Sequence, residues 1–187
     1  MTEPPIVTLA RAYNFAAARH VRQRRKGEAA EPYVNHLAEV AELVALATGG
    51  EDPEVVIAAV LHDTVEDTET TPDELRRAFG ARVAALVAEV TDDKSLPKQT
   101  RNDLQVEHAA HASRGAQIIK IADKTSNLRA LLATPPVGWD EARRRAYLAW
   151  ARAVVDRCRS ADAWLAACFD EAAAALESSL ELAPSAA

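Results

Sequence analysis

The chain has 187 residues, of which 27% are charged, and its formal net charge at pH 7 is −6. This length suits one compact domain, and the acidic balance excludes the nonspecific attraction to nucleic acid or anionic lipid that a basic surface provides. Ala, Val and Leu dominate and aromatic residues make up only 5%. Because Ala and Leu are strong helix formers, the composition favours packed helices over sheets. We expect one all-α domain over residues 1–187, with a core at about 6–160 and a closing helix at about 161–182.

The sequence also predicts a cytoplasmic protein without membrane or nucleic-acid partners. The segment 1–10 contains one acid and two prolines but no basic region typical of a signal peptide. No apolar run approaches the roughly 20 residues of a membrane span. Cys158 and Cys168 match neither a disulfide framework nor a Cys-x-x-Cys pattern, so we expect two reduced thiols.

Apolar periodicity predicts a bundle of eight or more short helices and no convincing strand. Asp52-Pro53-Glu54 and Thr71-Pro72-Asp73-Glu74 each combine a capping side chain with Pro in the first turn, which marks a helix start. A basic loop at 24–32 and a polar loop at 91–100 separate helical segments. The predicted helices span 6–23, 35–48, 53 to His62, 72–79, 81–90, 101–111, 115–132, 139–159 and a last segment to about 182.

The strongest chemical signal is the segment His62-Asp63-Thr64-Val65-Glu66-Asp67, which ends an almost wholly apolar helix. Burying a carboxylate beside such a helix costs several kcal/mol unless a cation or hydrogen bonds compensate. His and Asp are suitable ligands for a divalent metal. A helix end lets neighbouring side chains converge on one ion, whereas adjacent residues inside a helix diverge by about 100°.

Two further ligands come from other helices. His36 lies at the edge of the apolar face of its helix, and Asp123 interrupts the apolar stretch Ile118–Ala122. Each acid or histidine has a structural explanation when taken alone: a core histidine, a helix-end acceptor, or an Asp paired with Lys120 or Lys124. The combination instead predicts a metal site of His36, His62, Asp63 and Asp123.

The spacing His36, His62-Asp63, Asp123 resembles the HD superfamily of metal-dependent phosphohydrolases. The segments PYVNH, AVLHDTVEDT, FGARVAALVAEVTDDKSLPK, LQVEHAAHAS and GAQIIKIADKTSNLRAL are similar to those of small alarmone hydrolases, the stand-alone relatives of the hydrolase half of RelA/SpoT proteins. The resemblance covers about residues 11–158. It implies an HD-domain helical bundle that removes the 3′-pyrophosphate of ppGpp or pppGpp, giving GDP or GTP and pyrophosphate, usually with one Mn²⁺ ion.

The resemblance also implies roles for individual residues. Glu66 and Asp67 match the catalytic acid pair, which would orient the attacking water and handle its proton. Cations in the loops would bind the polyphosphate, since Arg grips phosphate in a bidentate manner and Lys acts as a point charge. The residues at matching substrate-binding positions are Arg25, Lys26, Lys98, Asn127, Arg129 and Tyr147.

Some alternatives stay open at the level of sequence. An HD phosphohydrolase acting on the 2′-phosphate of NADPH or on a nucleoside monophosphate would use the same metal and basic residues. A binding module without activity would not need the Glu66-Asp67 pair. Thr125 and Ala130 depart from the family pattern and could alter nucleotide selectivity, and the faces of the last helices could form a homodimer.

Overall fold

We describe residues 3–182 in a computed structural model of the chain. Within these residues the structure contains helices, one 3₁₀ turn and two isolated β-bridges, which confirms the all-α prediction. The helices are α1 (Pro5–Arg19), α2 (Val34–Ala47), α3 (Pro53–Leu61), α4 (Thr64–Asp67), α5 (Pro72–Phe79), α6 (Ala81–Val90), α7 (Lys98–Ala109), α8 (Arg114–Ala133), α9 (Glu141–Asp156) and α10 (Ala163–Glu181), with the 3₁₀ turn at Arg159–Ala161.

Side-chain caps begin several of these helices where the sequence predicts a start. Asp52 accepts a hydrogen bond from the backbone N–H of Val55, and Thr71 accepts one from that of Glu74. The side chain of Glu74 does not complete a reciprocal capping box, because it forms an ion pair with Arg19 of α1. Glu74, which the sequence predicts to cap the start of α5, therefore connects α5 to α1 instead.

Two helix boundaries differ from the prediction. α1 ends at Arg19 rather than near residue 23, because the backbone N–H of Gln23 donates to the carbonyl of His20 at 2.9 Å, three residues back, instead of continuing the helical ladder. α7 begins at Lys98 rather than at residue 101, directly after Pro97, which lies in an extended conformation. The polar loop is correspondingly shorter and lies at 91–97.

α3 and α8 form the centre of the bundle. Every residue from Val55 to Leu61 is buried, because α3 packs against α1, α2, α6 and α8. α8 contacts α2, α3, α6, α9 and α10, so that most of its faces are covered. His62 follows α3 directly and Asp123 lies midway along α8, so two of the candidate ligands are carried by these central helices, and His36 is carried by α2, which packs against both.

The basic loop at 24–32 is fixed to the connection between α8 and α9. Gly27 forms an isolated antiparallel bridge with Pro136. A Cβ atom at position 27 would lie 2.4 Å from the carbonyl oxygen of Thr134, so only glycine permits this approach. Arg25 is consequently held beside α8, where it donates to Asn127 at 3.2 Å, whereas Lys26 in the same loop is exposed.

No helix in residues 3–182 is both long enough and apolar enough to cross a membrane. α10 packs along α8 and also contacts α9 and α2. Phe169 on α10 is fully buried, whereas Trp164 on the same helix is 45% exposed. The closing helix therefore contributes a large buried side chain to the core that supports α8.

We predict that Phe169→Ala lowers the free energy of unfolding by about 3–5 kcal/mol, because it removes a buried aromatic ring and leaves a cavity. Trp164→Ala on the same helix is the matched control and should cost much less, because the indole is half exposed. Urea denaturation followed by circular dichroism measures both. Equal losses for the two variants would contradict the role assigned to Phe169.

Candidate metal centre and phosphate cavity

Three of the four predicted ligands meet at one point. His36, His62 and Asp123 each offer one ligand atom, and these atoms lie within 4.8 Å of one another. Nε2 of His36 is 3.2 Å from Oδ1 of Asp123, and Nε2 of His62 is 3.8 Å from the same oxygen. The three residues come from α2, the end of α3 and α8, so the centre exists only once these helices have packed.

The other ring nitrogen of each histidine is already engaged. Nδ1 of His62 donates to the carbonyl oxygen of Ala59 at 2.8 Å. Nδ1 of His36 lies 2.8 Å from the hydroxyl of Ser126, which itself donates to Glu39 and therefore accepts from the histidine. Both neutral imidazoles thus direct the Nε2 lone pair toward the centre, as metal-binding histidines do.

Asp63 borders the same point without belonging to the mutually close set. Its Oδ2 lies 3.0 Å from Nε2 of His62 and 3.7 Å from Nε2 of His36. The same oxygen accepts a hydrogen bond from the hydroxyl of Tyr33 at 2.5 Å. Burial and the Asp63 carboxylate both raise the pKa of Tyr33, which keeps this hydroxyl protonated as a donor.

In the described part of the chain, the centre contains an imidazole nitrogen without a hydrogen bond beside two carboxylates. Nε2 of His62 is buried and makes no hydrogen bond within the described residues, although two carboxylates lie nearby. Burial lowers the pKa of His62, yet attraction by Asp63 and Asp123 outweighs burial, so the net pKa is raised. Burial likewise raises the pKa of Asp123, but Lys124 and the histidines reverse the direction and lower it. The donor set therefore fits a divalent cation, which satisfies lone pairs and carboxylates together.

Glu66 and Asp67 follow the ligands on the short helix α4 and have different surroundings. Glu66 is half-buried and accepts the backbone N–H of Asp92 at 3.0 Å. Burial and neighbouring carboxylates raise the pKa of Glu66 to about 7. Asp67 is more exposed, accepts a hydrogen bond from Gln23 at 2.7 Å and forms an ion pair with Lys94.

A cavity of about 1140 Å³ opens beside this centre. Among the described residues that line it are nine basic side chains and five acids, so a protein of negative net charge carries a largely cationic cavity. The acids are Asp63, Glu66, Asp67, Asp92 and Asp123, and the cations are Arg24, Arg25, Lys26, Lys94, Lys98, Arg101, Lys120, Lys124 and Arg143.

Most of the predicted substrate-binding residues line this cavity. They are Arg25, Lys26, Lys98, Asn127 and Tyr147. Asn127 donates to Oδ1 of Asp123 at 2.6 Å and accepts from Arg25 at 3.2 Å, so it links the basic loop to the metal centre. Ala130 also lines the cavity, whereas Thr125 is buried and bonds to the carbonyl of Ile121.

Arg129 is the predicted substrate-binding residue that the structure does not bring to the cavity. It is exposed and pairs with Glu39 of α2 at 3.1 Å. Residues two apart on a helix point about 200° away from each other, so Arg129 cannot share the direction of Asn127. Glu39 also accepts a hydrogen bond from Ser126, the residue that holds His36. Arg129 therefore contacts the residues that support His36 and not the cavity.

An aromatic cluster forms one wall of the cavity. The ring of Tyr147 lies 5.8 Å from that of Trp139 and 5.3 Å from that of Trp150. Nζ of Lys124 lies 4.4 Å above Trp150, and the guanidinium of Arg143 lies 4.4 Å above Trp139. Burial raises the pKa of Tyr147 to about 12, so its hydroxyl is a neutral hydrogen-bonding group. A flat, partly apolar wall with cations above it is suited to a nucleotide base.

Sequence reasoning did not assign roles to several residues that position the centre. Ser126 supports His36, Tyr33 supports Asp63, and Gln23 holds Asp67. The sequence spacing could have indicated two of them, because residues three apart on a helix lie on the same face. Tyr33 is three residues before His36, and Ser126 is three residues after Asp123. Gln23 lies in a loop, where no periodicity indicates direction.

Comparisons with known proteins agree with this geometry. The HD domain family matches residues 12–154 of this chain. The human guanosine-3′,5′-bis(diphosphate) 3′-pyrophosphohydrolase MESH1 is 52% identical over 147 residues, which cover 79% of this chain and 82% of the relative. The Drosophila melanogaster MESH1 is 46% identical over 157 residues, covering 84% and 88%.

A solved structure shows the same likeness. It is that of a metazoan ortholog of SpoT that hydrolyzes ppGpp and plays a role in starvation responses, and it superimposes with a TM-score of 0.86 at 43% identity. The superposition covers 92% of this chain and 96% of that one. The fold and the His-His-Asp centre thus define an HD-domain protein. Within that class, the chain belongs to the family of MESH1-type guanosine-3′,5′-bis(diphosphate) 3′-pyrophosphohydrolases.

We predict that Mn²⁺ raises the melting temperature of wild-type protein and that Asp123→Asn abolishes this rise. A ligand at about 100 times its Kd stabilises by about 2.7 kcal/mol, or roughly 5–10 °C for a chain of this size. Differential scanning fluorimetry with Mn²⁺ or with chelator measures the shift. Asp73→Asn on the exposed part of α5 is the control and should keep the full rise, and a full rise in Asp123→Asn would contradict the site.

We predict that Glu66 makes the metal-free protein less stable as pH rises. The pKa of Glu66 is about 7 when folded against a reference of 4.5, so the folded state binds more protons between these values. Its protonated form is favoured by folding, and that contribution is lost as pH rises through about 7. Urea titrations in chelator from about pH 5 to pH 8 should show a steeper fall for wild type than for Glu66→Gln. Parallel curves would refute the assignment.

Proposed function

We propose that this chain is a metal-dependent hydrolase of ppGpp or pppGpp, which releases pyrophosphate from the 3′ position and leaves GDP or GTP. The observation that carries the proposal is the placement of a His-His-Asp centre and an acid pair at one end of a cationic cavity. The two close MESH1 relatives bear the name of this activity. The substrate is a small polyanionic nucleotide, and the cavity supplies the cations that it needs.

His36, His62, Asp63 and Asp123 would hold one divalent ion, and Mn²⁺ suits a shell of imidazoles and carboxylates. Such an ion, when bound, polarises a phosphoryl oxygen and lowers the pKa of water to near neutrality. Ser126 and the carbonyl of Ala59 fix the tautomers of the two histidines. The protein thus presents lone pairs in fixed positions and does not need to reorganise on binding.

Glu66 is the residue that we assign to proton transfer. Its raised pKa makes it a better base than an ordinary carboxylate, and a nearby cation would favour its ionised form. The water that attacks the 3′-phosphorus would give its proton to Glu66 as the bond from this phosphorus to the 3′ oxygen breaks. That oxygen would take a proton from solvent and leave as the 3′-hydroxyl of GDP or GTP, and pyrophosphate would be released. Asp67 is held by Gln23 and Lys94, so we assign it the orientation of the water.

The remaining part of the nucleotide would lie along the cavity. Arg25, Lys26 and Lys98 are loop or helix-start cations that can contact the 5′ and 3′ phosphates. Tyr147, between Trp139 and Trp150, offers an aromatic surface for the guanine base. Asn127 would connect the phosphate contacts to the metal centre through Arg25 and Asp123.

We also infer that residues 3–182 act as a single HD phosphohydrolase domain. One hydrophobic cluster runs from Ala12 on α1 to Leu180 on α10, and it includes buried residues of α2, α3, α8 and α9. A cytoplasmic location and a homodimer stay predictions from the sequence.

We predict that purified protein with Mn²⁺ converts ppGpp to GDP and pyrophosphate, and that chelator abolishes the conversion. Glu66→Gln and Asp63→Ala should each lower kcat by at least about a hundredfold, since general acid–base catalysis alone contributes about 10²–10⁴. Anion-exchange chromatography identifies the products, and metal analysis separates the variants, because Glu66→Gln should retain its metal. Arg77→Met on α5 serves as the control.

The same assay should include NADPH and nucleoside monophosphates as competing substrates. Release of orthophosphate from these compounds, with ppGpp intact in the presence of bound metal, would contradict the assigned substrate while leaving the metal centre in place.

A further inference from the structure

His20 is a buried histidine to which neither the metal centre nor the cavity gives a role. It follows the last residue of α1, and its exposed fraction is only 3%. It is not one of the residues that line the cavity or meet at the centre. Its Nε2 is buried and makes no hydrogen bond within residues 3–182. Burying a polar ring is costly unless hydrogen bonds compensate, so the hydrogen bond of its other nitrogen needs an explanation.

That hydrogen bond leads to the catalytic acid pair. Nδ1 of His20 lies 2.6 Å from Oε1 of Gln23. The amide nitrogen of Gln23 donates to Oδ2 of Asp67 at 2.7 Å. The backbone of Gln23 is held as well, because its N–H donates to the carbonyl of His20 and its carbonyl accepts from the N–H of Tyr33. His20 thus reaches Asp67 through one side chain whose backbone is fixed.

The carboxylate of Asp67 determines the direction of both hydrogen bonds. An ionised carboxylate can only accept, so the amide of Gln23 must present its nitrogen to Asp67 and its oxygen to His20. An amide oxygen can only accept, so Nδ1 of His20 must carry a proton. The other oxygen of Asp67 pairs with Lys94, which is exposed. Of these two contacts of Asp67, the one from Gln23 has a buried side chain behind it.

The ring of His20 has a second contact on the same side of the site. It stacks on Tyr33, with ring centroids 5.1 Å apart and an interplanar angle of 27°. Tyr33 donates to Asp63, so packing of the ring would by itself support the metal centre. The two contacts need different chemistry, because stacking requires a flat ring and the hydrogen bond requires a donor. Substitutions of His20 can therefore separate them.

We propose that His20 is a positioning residue for Asp67, and that it acts through Gln23 on the water that attacks the nucleotide. The proposal rests on the proposed function, because that function assigns the orientation of this water to Asp67. The Nδ1 proton holds the amide of Gln23 in one orientation, and the amide nitrogen holds the carboxylate. Loss of the donor leaves the amide oxygen unsatisfied and the amide free to rotate, so that Asp67 loses its inner contact. The ligand atoms of the centre and the cations of the cavity do not depend on this rotation.

The experiment compares two substitutions that each keep one property of the ring. His20→Asn keeps a donor, because the amide nitrogen of Asn and Nδ1 of His are both bonded to Cγ, but it loses the ring. His20→Phe keeps a ring and loses the donor. With Mn²⁺ and ppGpp, His20→Phe should lower kcat by about tenfold, as expected when a buried acceptor loses its donor, and His20→Asn should stay within about threefold of wild type. KM and the Mn²⁺-induced rise in melting temperature should not change in either variant.

Two further variants complete the comparison. Gln23→Met should lower kcat by about the same factor as His20→Phe, and combining the two should cost little more, because both act on one link. His111→Phe lies in the exposed connection between α7 and α8 and should behave as wild type.

The tautomer of His20 tests the hydrogen bond without turnover. Long-range ¹H–¹⁵N correlation spectra of the neutral imidazole show which ring nitrogen carries the proton, and in wild-type protein this should be Nδ1. The hydrogen bond of one ring nitrogen sets the tautomer, so Gln23→Met, which removes the acceptor, should no longer fix the proton on Nδ1.

A loss of kcat that follows the ring, with His20→Asn impaired and His20→Phe normal, would overturn the proposal, and so would equal losses in both. A proton on Nε2 of wild-type His20 would do the same. If neither His20 variant folds, Gln23→Met gives the answer, since a normal kcat there refutes the link to Asp67. Turnover of ppGpp that is indifferent to these substitutions refutes the positioning role alone. Wild-type protein that binds Mn²⁺ but leaves ppGpp intact refutes the hydrolase assignment, and the tautomer then decides whether His20 holds Gln23.

Discussion

Two imidazole lone pairs and two carboxylates are directed at one buried point. The rest of the site depends on the need for a cation at that point. Neither His36 nor His62 can turn away, because Ser126 and the carbonyl of Ala59 hold the other nitrogen of each ring. Without a cation these groups attract a proton to His62 instead. This donor set suits a divalent ion, so we expect metal binding and folding to depend on each other.

α8 connects the centre of His36, His62 and Asp123 to the cavity. Asp123 faces the centre, Asn127 one turn later reaches Arg25 of the basic loop, and Lys120 one turn earlier lines the cavity. Enclosure of α8 by five other helices fixes the direction of these side chains. Asp123, Asn127 and Lys120 lie on one rigid helix. A helix holds such side chains more precisely than a loop would for placing a polyphosphate beside a metal.

The distribution of charge explains how a protein of negative net charge can bind a polyanion. The acids that line the cavity gather at the metal centre and on its Glu66–Asp67 side, whereas the basic loop, the start of α7 and α8 contribute cations. In a cavity with low-dielectric walls these local charges outweigh the distant surface charge, which solvent and salt screen. A negative net charge of the whole chain is therefore compatible with binding a nucleotide in this cavity.

The sequence by itself determined the helices, their capped starts and three predicted ligand residues that the structure brings together. Apolar periodicity, caps and a carboxylate in an apolar helix are local properties. Only the tertiary structure decided which side chains share a space. It excluded Arg129 from the cavity by pairing it with Glu39, and it brought Ser126 to His36 across 90 residues of sequence. These outcomes depend on helix rotation and packing between distant segments, which no local pattern encodes, since a shift of one residue turns a side chain by about 100°.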